Sequence, residues 1–435
     1  MLKLLLLQWV LCGTAFAAVS PGYFSLEIRT SHVSKNGFGK RDAVDISLKD
    51  DKQSSMLTEL QIGSNRDKVE VVVDTGSSVL WVMDPDVECK TSPLTGKVTD
   101  CKAHGTFSFQ GSETFNKTEE PFHMEYEDKE SADGFYVKDD ISLGNDVDIK
   151  GFGFGLANGT SSDFGILGIR ISFPEANSTG QSLPVELTNQ GITNRSAYSI
   201  FLNKPNKKGS VLFGAVDHSK YLGDLQTVPI VYDETEPHIK VNVSGIDINM
   251  NGTKVSGGIS ESAFLLDTGT AISRFPKSFS DTLLERIEGS EYEDSVSFFG
   301  SLDCSQIENL KFEIKFDGKT ITVPVKDLVY KKVHNSTDEG CGFMIKFEDD
   351  NDDLILGMDV LRSIYFVVDL DDKEVSLAQT DFSNGKQDIE AFPPPGVNRT
   401  LASRGRSEEK VSSANSIVSS IDVLLCLAIS LTWLL

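Results

Sequence analysis

The sequence predicts an all-β protein built from two similar lobes, and three observations support this. The chain has 435 residues, more than one hydrophobic core usually holds. Its 39% hydrophobic residues and 26 Phe can fill two cores, and aromatic side chains favour strands. An apolar run leads directly into Asp-Thr-Gly at Asp74 and again at Asp267. The two motifs are 193 residues apart, so each lobe carries one copy.

Short runs rich in β-branched and aromatic residues predict the strands, and clusters of Gly, Asn and Asp separate them. Two helices are predicted, Pro184–Gln190 and Ser278–Ile287, of which the second begins after Pro276. The clearest predicted strands are Val69–Val73, Val79–Val82, Ser210–Phe213, Phe264–Leu266, Thr322–Val325 and Tyr365–Val368.

The chain is acidic, with 65 Asp and Glu against 41 Lys and Arg and a net charge of -24. A chain of this charge repels phosphate backbones, which argues against a nucleic-acid-binding protein. The charge instead favours basic protein or peptide partners.

Residues 1–18 are predicted to form a secretory signal peptide, with Lys3 before an apolar stretch and Ala15-Phe16-Ala17 as the cleavage site. A transmembrane anchor is the alternative, but the apolar stretch is too short to span a bilayer. The dibasic pair Lys40-Arg41 predicts a propeptide over residues 19–41 that a secretory-pathway protease removes. A basic pair on an ordinary surface would have the same sequence.

The composition changes again near the C-terminus. Residues 383–420 are rich in Ser and include Pro393–Pro395, which predicts an extended stalk. An apolar tail follows over residues 421–435. Small residues, a spacer and a terminal tail are typical of a GPI-attachment signal, with Ser413 and Asn415 as candidate attachment residues. A short tail-anchor helix is the alternative, although about 15 residues are marginal for spanning.

The cysteines and glycosylation sequons also favour secretion. Outside the terminal segments four cysteines remain, which suggests two disulfides in one of three connectivities. The simplest pairs neighbours, Cys89 with Cys101 and Cys304 with Cys341. No CxxC or paired His accompanies them, so no metal site is predicted. The eight Asn-x-Ser/Thr sequons begin at Asn116, Asn158, Asn177, Asn194, Asn242, Asn251, Asn335 and Asn398.

The repeated motif carries the predicted chemistry. A carboxylate at the end of a buried strand is costly unless it is hydrogen-bonded or paired. The glycine after it allows a sharp turn and offers its N–H to the carboxylate. We expect the hydroxyls of Ser77 and Thr270 to bond the outer carboxylate oxygens, and Thr75 and Thr268 to brace the two loops. The two segments are Asp74-Thr75-Gly76-Ser77 and Asp267-Thr268-Gly269-Thr270.

Two such carboxylates brought together cannot both ionise cheaply, so they share one proton. The ionised partner can take a proton from water while the protonated partner polarises a scissile carbonyl. This chemistry needs no metal, no cofactor and no covalent intermediate. The sequence contains no GxSxG, HExxH or P-loop motif.

With these motifs the chain resembles the pepsin-like aspartic endopeptidases, and the resemblance covers the whole predicted mature body. Further matches are Ser77–Val82, Phe164–Ile169 and Leu354–Gly357. The resemblance implies a bilobal, monomeric protease with its cleft between an N-terminal lobe (residues 42–220) and a C-terminal lobe (residues 221–382). It also implies the Cys304–Cys341 disulfide of the C-terminal lobe.

The resemblance further implies a flap over the cleft. Tyr126 matches the flap tyrosine, which hydrogen-bonds the indole of the residue matching Trp81. Asp128 matches a flap acid that accepts basic substrate side chains in several fungal members. The chain departs from the family where Glu127 and Lys129 replace the usual glycines.

The processing site, stalk and tail resemble those of the fungal yapsins, which implies cleavage at basic residues at the cell surface, with a membrane link through the GPI anchor. In the propeptide, Arg29 or Lys35 is expected to pair with the two aspartates. A broad-specificity candidapepsin-like enzyme is one alternative. A catalytically silent wall mannoprotein is another, although both Asp-Thr-Gly motifs are intact.

Overall fold

A computed structural model describes residues 22–30, 55–144, 147–172, 181–204, 207–235, 237–286, 291–293, 298–301, 307–334, 339–349, 353–383 and 385–397. Within these ranges the chain forms 28 strands and three short α-helices. The prediction of an all-β fold is confirmed. No helix in this described portion is long and apolar enough to cross a membrane.

The described residues of the first half form twelve strands. In chain order they are β1 (Phe24–Thr30), β2 (Met56–Ile62), β3 (Asp67–Asp74), β4 (Leu80–Cys89), β5 (Asn116–Glu125), β6 (Ser131–Ser142), β7 (Asp148–Thr160), β8 (Gly165–Gly168), β9 (Ala197–Phe201), β10 (Gly209–Phe213), β11 (Ala215–Asp217) and β12 (Tyr221–Pro229).

The second half contains the remaining strands. They are β13 (Lys240–Val243), β14 (Gly245–Met250), β15 (Thr253–Ser256), β16 (Ser262–Leu266), β17 (Arg274–Pro276), β18 (Glu291–Glu293), β19 (Phe298–Ser301), β20 (Leu310–Phe316), β21 (Lys319–Pro324), β22 (Val329–His334), β23 (Glu339–Met344), β24 (Lys346–Glu348), β25 (Leu354–Leu356), β26 (Ile364–Asp369), β27 (Glu374–Thr380) and β28 (Ile389–Ala391). The helices are α1 (Leu183–Asn189), α2 (Lys277–Arg286) and α3 (Met358–Leu361).

The predicted elements lie where the sequence patterns place them. The six predicted strands fall within β3, β4, β10, β16, β21 and β26, apart from single terminal residues. The two predicted helices match α1 and α2 to within one residue at each end. Helix α2 follows Pro276 and buries Phe279 and Leu283, which explains why its apolar residues recur at helical spacing.

One large sheet joins the two halves of the chain. Its strand order is β12-β27-β26-β9-β10-β1-β2-β3-β8-β4-β7-β6-β5. Strand β26 comes from the second half and pairs with β9 of the first. Every residue of β26 is buried, as expected for a nearly continuous apolar strand covered on both faces.

In the described residues three smaller sheets belong to the second half alone, and a fourth, β11-β28, pairs one strand from each half. Their strand orders are β13-β16-β25-β17-β24, β15-β14-β20-β21, β18-β19-β23-β22 and β11-β28. Phe264, Phe275, Phe279 and Phe312 pack there in a chain of ring contacts, with centroids 5.2 to 6.4 Å apart. This aromatic cluster forms part of the core behind the strand that leads to Asp267.

The two halves use the same local arrangement to position their motifs. Strand β3 runs parallel to β8, with Asp74 opposite Gly168. Strand β16 runs parallel to β25, with Leu266 opposite Leu356. Each Asp-Thr-Gly motif therefore begins at the end of a buried strand. The parallel neighbour of that strand is short and apolar, and it ends at or just before a glycine.

Strand β1 lies inside the predicted propeptide, yet it is a strand of the large sheet. It pairs with β10 from Phe24 to Ile28 and with β2 at Arg29 and Thr30. Its apolar residues Phe24, Leu26 and Ile28 are 5%, 3% and 2% exposed.

The expectation that Arg29 pairs with the two aspartates is wrong. Arg29 forms an ion pair with Glu70. Glu70 Oε2 also lies 3.1 Å from His104 Nδ1. The pairing of β1 with β2 holds the Arg29 side chain beside Glu70 in β3. Asp74 is the last residue of β3, four positions further along the strand. Lys35 lies outside the described residues.

The predicted stalk boundary at residue 383 is too early. Strand β28 pairs with β11, Ala391 opposite Ala215. Phe392 is 1% exposed and packs in an apolar cluster with Val216 and Tyr365. The Ser- and Pro-rich composition hid this short apolar attachment, which extends the folded body to about residue 392.

Candidate active site

The two motif aspartates occupy equivalent buried positions. Asp74 is the last residue of β3 and Asp267 follows β16, and they are 5% and 8% exposed. The Gly76 N–H donates to Asp74 Oδ1 at 2.7 Å, and the Gly269 N–H donates to Asp267 Oδ1 at 2.8 Å. The turn after each aspartate thus supplies the hydrogen bond that a buried carboxylate needs.

The motif threonines tie the two loops together. The Thr75 N–H donates to Thr268 Oγ1 at 3.1 Å, and the Thr268 N–H donates to Thr75 Oγ1 at 3.0 Å. Each hydroxyl also donates across to the other strand: Thr75 to the Leu266 carbonyl at 2.7 Å and Thr268 to the Val73 carbonyl at 2.9 Å. All four bonds are buried, so the relative position of the two aspartates is fixed by the motifs themselves.

The motif glycines explain how the carboxylates come to face each other. A Cβ on Gly269 would lie 2.5 Å from Asp74 Oδ1, and one on Gly76 would lie 2.8 Å from Asp267 Oδ1. Any side chain at either position would collide with the opposite carboxylate. Glycine is required because each loop passes directly against the aspartate of the other lobe.

The outer carboxylate oxygens are bound asymmetrically. Thr270 Oγ1 donates to Asp267 Oδ2 at 2.5 Å, as expected. The equivalent expectation for Ser77 is wrong, because in the described part of the chain its buried Oγ has no hydrogen-bond partner. Burial and the neighbouring Asp74 raise the pKa of Asp267 well above that of an ordinary aspartate. The raised pKa favours a proton held within the pair.

The predicted flap is the turn between β5 and β6. The Lys129 N–H donates to the Tyr126 carbonyl, and the Tyr126 N–H donates to the Glu130 carbonyl, both at 2.9 Å. Lys129 has φ 66°, a left-handed conformation that suits glycine better than lysine. Trp81 Nε1 donates to Tyr126 Oη at 2.7 Å. Burial and the charge of Asp74 raise the pKa of Tyr126 well above its ordinary value.

A model of the eukaryotic aspartyl protease family matches residues 55–380. The chain belongs to this family.

Several fungal members of the family are similar to the chain. Secreted aspartic protease 10 of Candida albicans is 34% identical over 408 residues, covering 88% of the chain and 84% of that protein. Candidapepsin-4 of Candida albicans is 32% identical, covering 82% of the chain and 84% of that protein. The candidapepsin of Candida tropicalis is 36% identical over 342 residues, covering 78% and 82%. The protein is an aspartic endopeptidase with the bilobal fold of the pepsin-like proteases.

Sequence reasoning missed two charged residues of this aspartyl protease, one buried and one partly buried. Arg170 is 6% exposed; its Nε donates to the Gly76 carbonyl at 3.0 Å and its Nη1 to the Pro237 carbonyl at 3.4 Å. It follows directly after the matched segment Phe164–Ile169, which is the signal that could have drawn attention to it. Its guanidinium braces the first motif loop against the second half of the chain.

The second missed residue is Asp359, which lies in α3 behind the other motif loop. Its carboxylate accepts from Ser273 Oγ at 2.5 Å, from the Ser273 N–H at 3.1 Å and from the Val360 N–H at 2.8 Å. Ser273 Oγ in turn accepts from the Gly357 N–H at 2.9 Å. Burial raises the pKa of Asp359 to about 6. A second titratable carboxyl thus lies close to the loop of Asp267.

The Cys89–Cys101 disulfide of the aspartyl protease is confirmed. Cys101 packs against the buried cluster that includes Trp81 and Phe122, so the bridge supports the wall on which the flap tyrosine rests. Cys304 lies outside the described residues, and the Cys304–Cys341 pairing stays a prediction.

The predicted modification sites are only partly described. Asn116, Asn158, Asn194, Asn242 and Asn251 are all exposed, as glycan attachment requires. The other predicted positions lie outside the described residues: Asn177, Asn335, Asn398, the Lys40-Arg41 pair and the attachment candidates Ser413 and Asn415.

Proposed function

We propose that Asp74 and Asp267 are the catalytic pair of this aspartic endopeptidase. The observation that carries the proposal is the mutual approach of the two buried carboxylates, enforced by the hydrogen bonds of Thr75 and Thr268 and by the close passage of Gly76 and Gly269. In this arrangement one proton serves both groups.

The proposed reaction uses a water molecule between the carboxylates. Asp74 takes a proton from the water, whose oxygen attacks the scissile carbonyl carbon. Asp267 donates its proton to the carbonyl oxygen, which gives a neutral tetrahedral diol. Proton transfer from Asp74 to the amide nitrogen then breaks the C–N bond, and Asp267 regains its proton from the diol. Tyr126 covers the site from the flap, and Trp81 holds the phenol in place.

For the substrate we propose basic side chains as the preferred recognition element. Asp128 is exposed at the tip of the flap. Its Oδ1 accepts a hydrogen bond from the Glu130 N–H at 2.9 Å, and this bond orients the carboxylate. The net charge of -24 would attract basic peptides over a long range. The names of the similar Candida proteins favour a second candidate, a broad-specificity candidapepsin-like protease.

We further propose that the protease follows the secretory pathway to the cell surface. The proposal combines a signal peptide over residues 1–18, a propeptide cut after Lys40-Arg41, and a GPI anchor. The anchor would be attached at Ser413 or Asn415 as the rest of the chain, including the apolar tail 421–435, is removed. Several of the similar proteins are named secreted aspartic proteases, which supports the secretory route. The enzyme would act as a monomer on the plasma membrane or in the cell wall, beyond a stalk that ends at the anchor.

The test is cleavage of a peptide library by the secreted protein at several acidic pH values, with cut sites identified by mass spectrometry. The Asp74→Asn and Asp267→Asn variants should lose all cuts. Basic preference predicts cuts beside Lys or Arg that Asp128→Asn weakens selectively. Cuts beside apolar residues that Asp128→Asn leaves unchanged would support the broad-specificity candidate instead. Cuts that persist in both catalytic variants would refute the assignment of the pair.

A further inference from the structure

The flap tip touches the opposite wall of the cleft through an ion pair. Glu127 follows Tyr126 at the tip of the flap, and Arg274 is the first residue of β17, seven positions after Asp267. Arg274 Nη1 donates to Glu127 Oε2 at 2.6 Å. The partners are 147 residues apart in sequence and belong to different lobes, so the bond spans the mouth of the site.

The charges of Glu125 and Lys129, on either side of Glu127, pair within the flap itself. Lys129 Nζ lies 3.0 Å from Glu125 Oε1, which neutralises both groups inside the hairpin. Glu127 instead forms its ion pair across the cleft, with Arg274. This ion pair comes in addition to the Tyr126–Trp81 hydrogen bond, so the tip is attached to both walls of the cleft.

The two ends of the ion pair differ in how firmly they are held. Arg274 lies in a strand paired on both sides, with β24 and β25, and Glu348 Oε1 lies 4.0 Å from its Nε. Its side chain is 22% exposed, against 50% for Glu127. Arg274 is thus held in place by its sheet, whereas Glu127 lies in the flap turn and moves with it.

We propose that Glu127 and Arg274 are positioning residues that hold the flap down over the aspartate pair. An ion pair this exposed shifts a conformational equilibrium by roughly two- to five-fold. That is enough to favour the closed flap and too little to prevent its opening for substrate. Because the pair is partly in solvent, salt weakens it. The inference rests on the aspartic protease site and is independent of the proposed basic preference.

The chain carries its own reporter for the flap. It contains three tryptophans, Trp9, Trp81 and Trp433, and Trp81 bonds the flap tyrosine directly. In the full chain with Trp9→Phe and Trp433→Phe, all tryptophan fluorescence comes from Trp81. Release of the flap removes the hydrogen bond to its indole and changes its emission, with no substrate required.

The first experiment compares Glu127→Gln and Arg274→Gln with Glu125→Gln, a control that changes the charge of the flap equally without touching the cross-cleft bond. Both cross-cleft variants should shift Trp81 emission at low salt to the value that the parent reaches only in about 1 M salt, where the screening length falls to about 3 Å. Glu125→Gln should keep the emission of the parent. Equal shifts in Glu125→Gln and Glu127→Gln would overturn the proposal, because they would reflect flap charge alone.

The second experiment measures peptide cleavage. Each cross-cleft single variant should lower kcat about two- to five-fold at low salt, and the Glu127→Gln/Arg274→Gln double variant should fall no further. The charge reversal Glu127→Arg/Arg274→Glu should recover most of the lost kcat. Additive losses in the double variant, or no recovery on reversal, would refute a direct pair. If no peptide were cleaved, the proposed function would fail, and the fluorescence experiment would still decide the present inference.

Discussion

Asp359 offers the sharpest quantitative test of the electrostatics. Its buried carboxyl has a pKa raised from 3.8 to about 6, and a tenfold change in an ionisation constant corresponds to about 1.4 kcal/mol. The folded state therefore binds a proton that the unfolded state releases over this pH range. Folding stability from this group is fully present below pH 3.8 and falls by about 3 kcal/mol as the pH rises through 6.

The perturbation is Asp359→Asn, which has the same shape and no charge at any of these pH values. Between about pH 4 and 7 wild type should lose stability as Asp359 ionises, and the variant should not. The free energy of unfolding of the variant minus that of wild type should thus rise by about 3 kcal/mol across that range. Asp267 titrates in the same direction, but its contribution is common to both proteins and cancels in the difference.

The assay is urea denaturation followed by fluorescence at pH 4, 5, 6 and 7. Asp317→Asn serves as the control, because it removes an aspartate charge from an exposed turn. A difference between wild type and Asp359→Asn that stays constant over the four pH values would refute the reasoning. It would mean that the three hydrogen bonds to the carboxylate offset its burial completely.

Three further predictions concern the aspartate pair. First, kcat/KM should fall as the pH rises through the raised pKa of Asp267, because the proton donor is lost; a flat pH–rate profile up to pH 9 would contradict this. Second, Thr268→Val removes the acceptor for the Thr75 N–H and the donor to the Val73 carbonyl. Because two buried backbone groups lose their partners, thermal denaturation should show that the free energy of unfolding falls by at least about 2 kcal/mol. An unchanged melting temperature would argue against the brace. Third, Gly269→Ala should lower kcat/KM about 100-fold, because its Cβ would lie 2.5 Å from Asp74 Oδ1 and displace a reacting group; secretion at wild-type levels with full activity would show that the loops do not pass so closely.

The local parts of the fold were predictable because local patterns determine them. A strand such as β26 is buried along its whole length, so its apolar run predicts it directly. The sequence also predicted the aspartates, glycines and threonines of the site, because a sharp turn after a buried carboxylate restricts the residue types. Two copies of one motif made the two-lobed arrangement predictable without any knowledge of the packing.

The remaining features depend on tertiary contacts that no local pattern encodes. Ser77 and Thr270 hold equivalent positions in sequence, yet one hydroxyl bonds its aspartate and the other finds no partner in the described chain. Arg170 looks like a surface arginine until its carbonyl partners are known. The Glu127–Arg274 pair joins residues from separate lobes. Arg29 was expected at the aspartates because only its charge, and not the register of β1, can be seen in the sequence.

Strand β1 makes the proposed propeptide part of the large sheet of the protein it precedes. It lies between β10 and β2, with five paired positions on one side and two on the other. A cut after Arg41 would therefore break a peptide bond but leave the propeptide strand hydrogen-bonded in the sheet. From that moment the retention of the strand is a bimolecular equilibrium, governed by a dissociation constant and an off-rate. Maturation would then respond to dilution and time as well as to the processing protease.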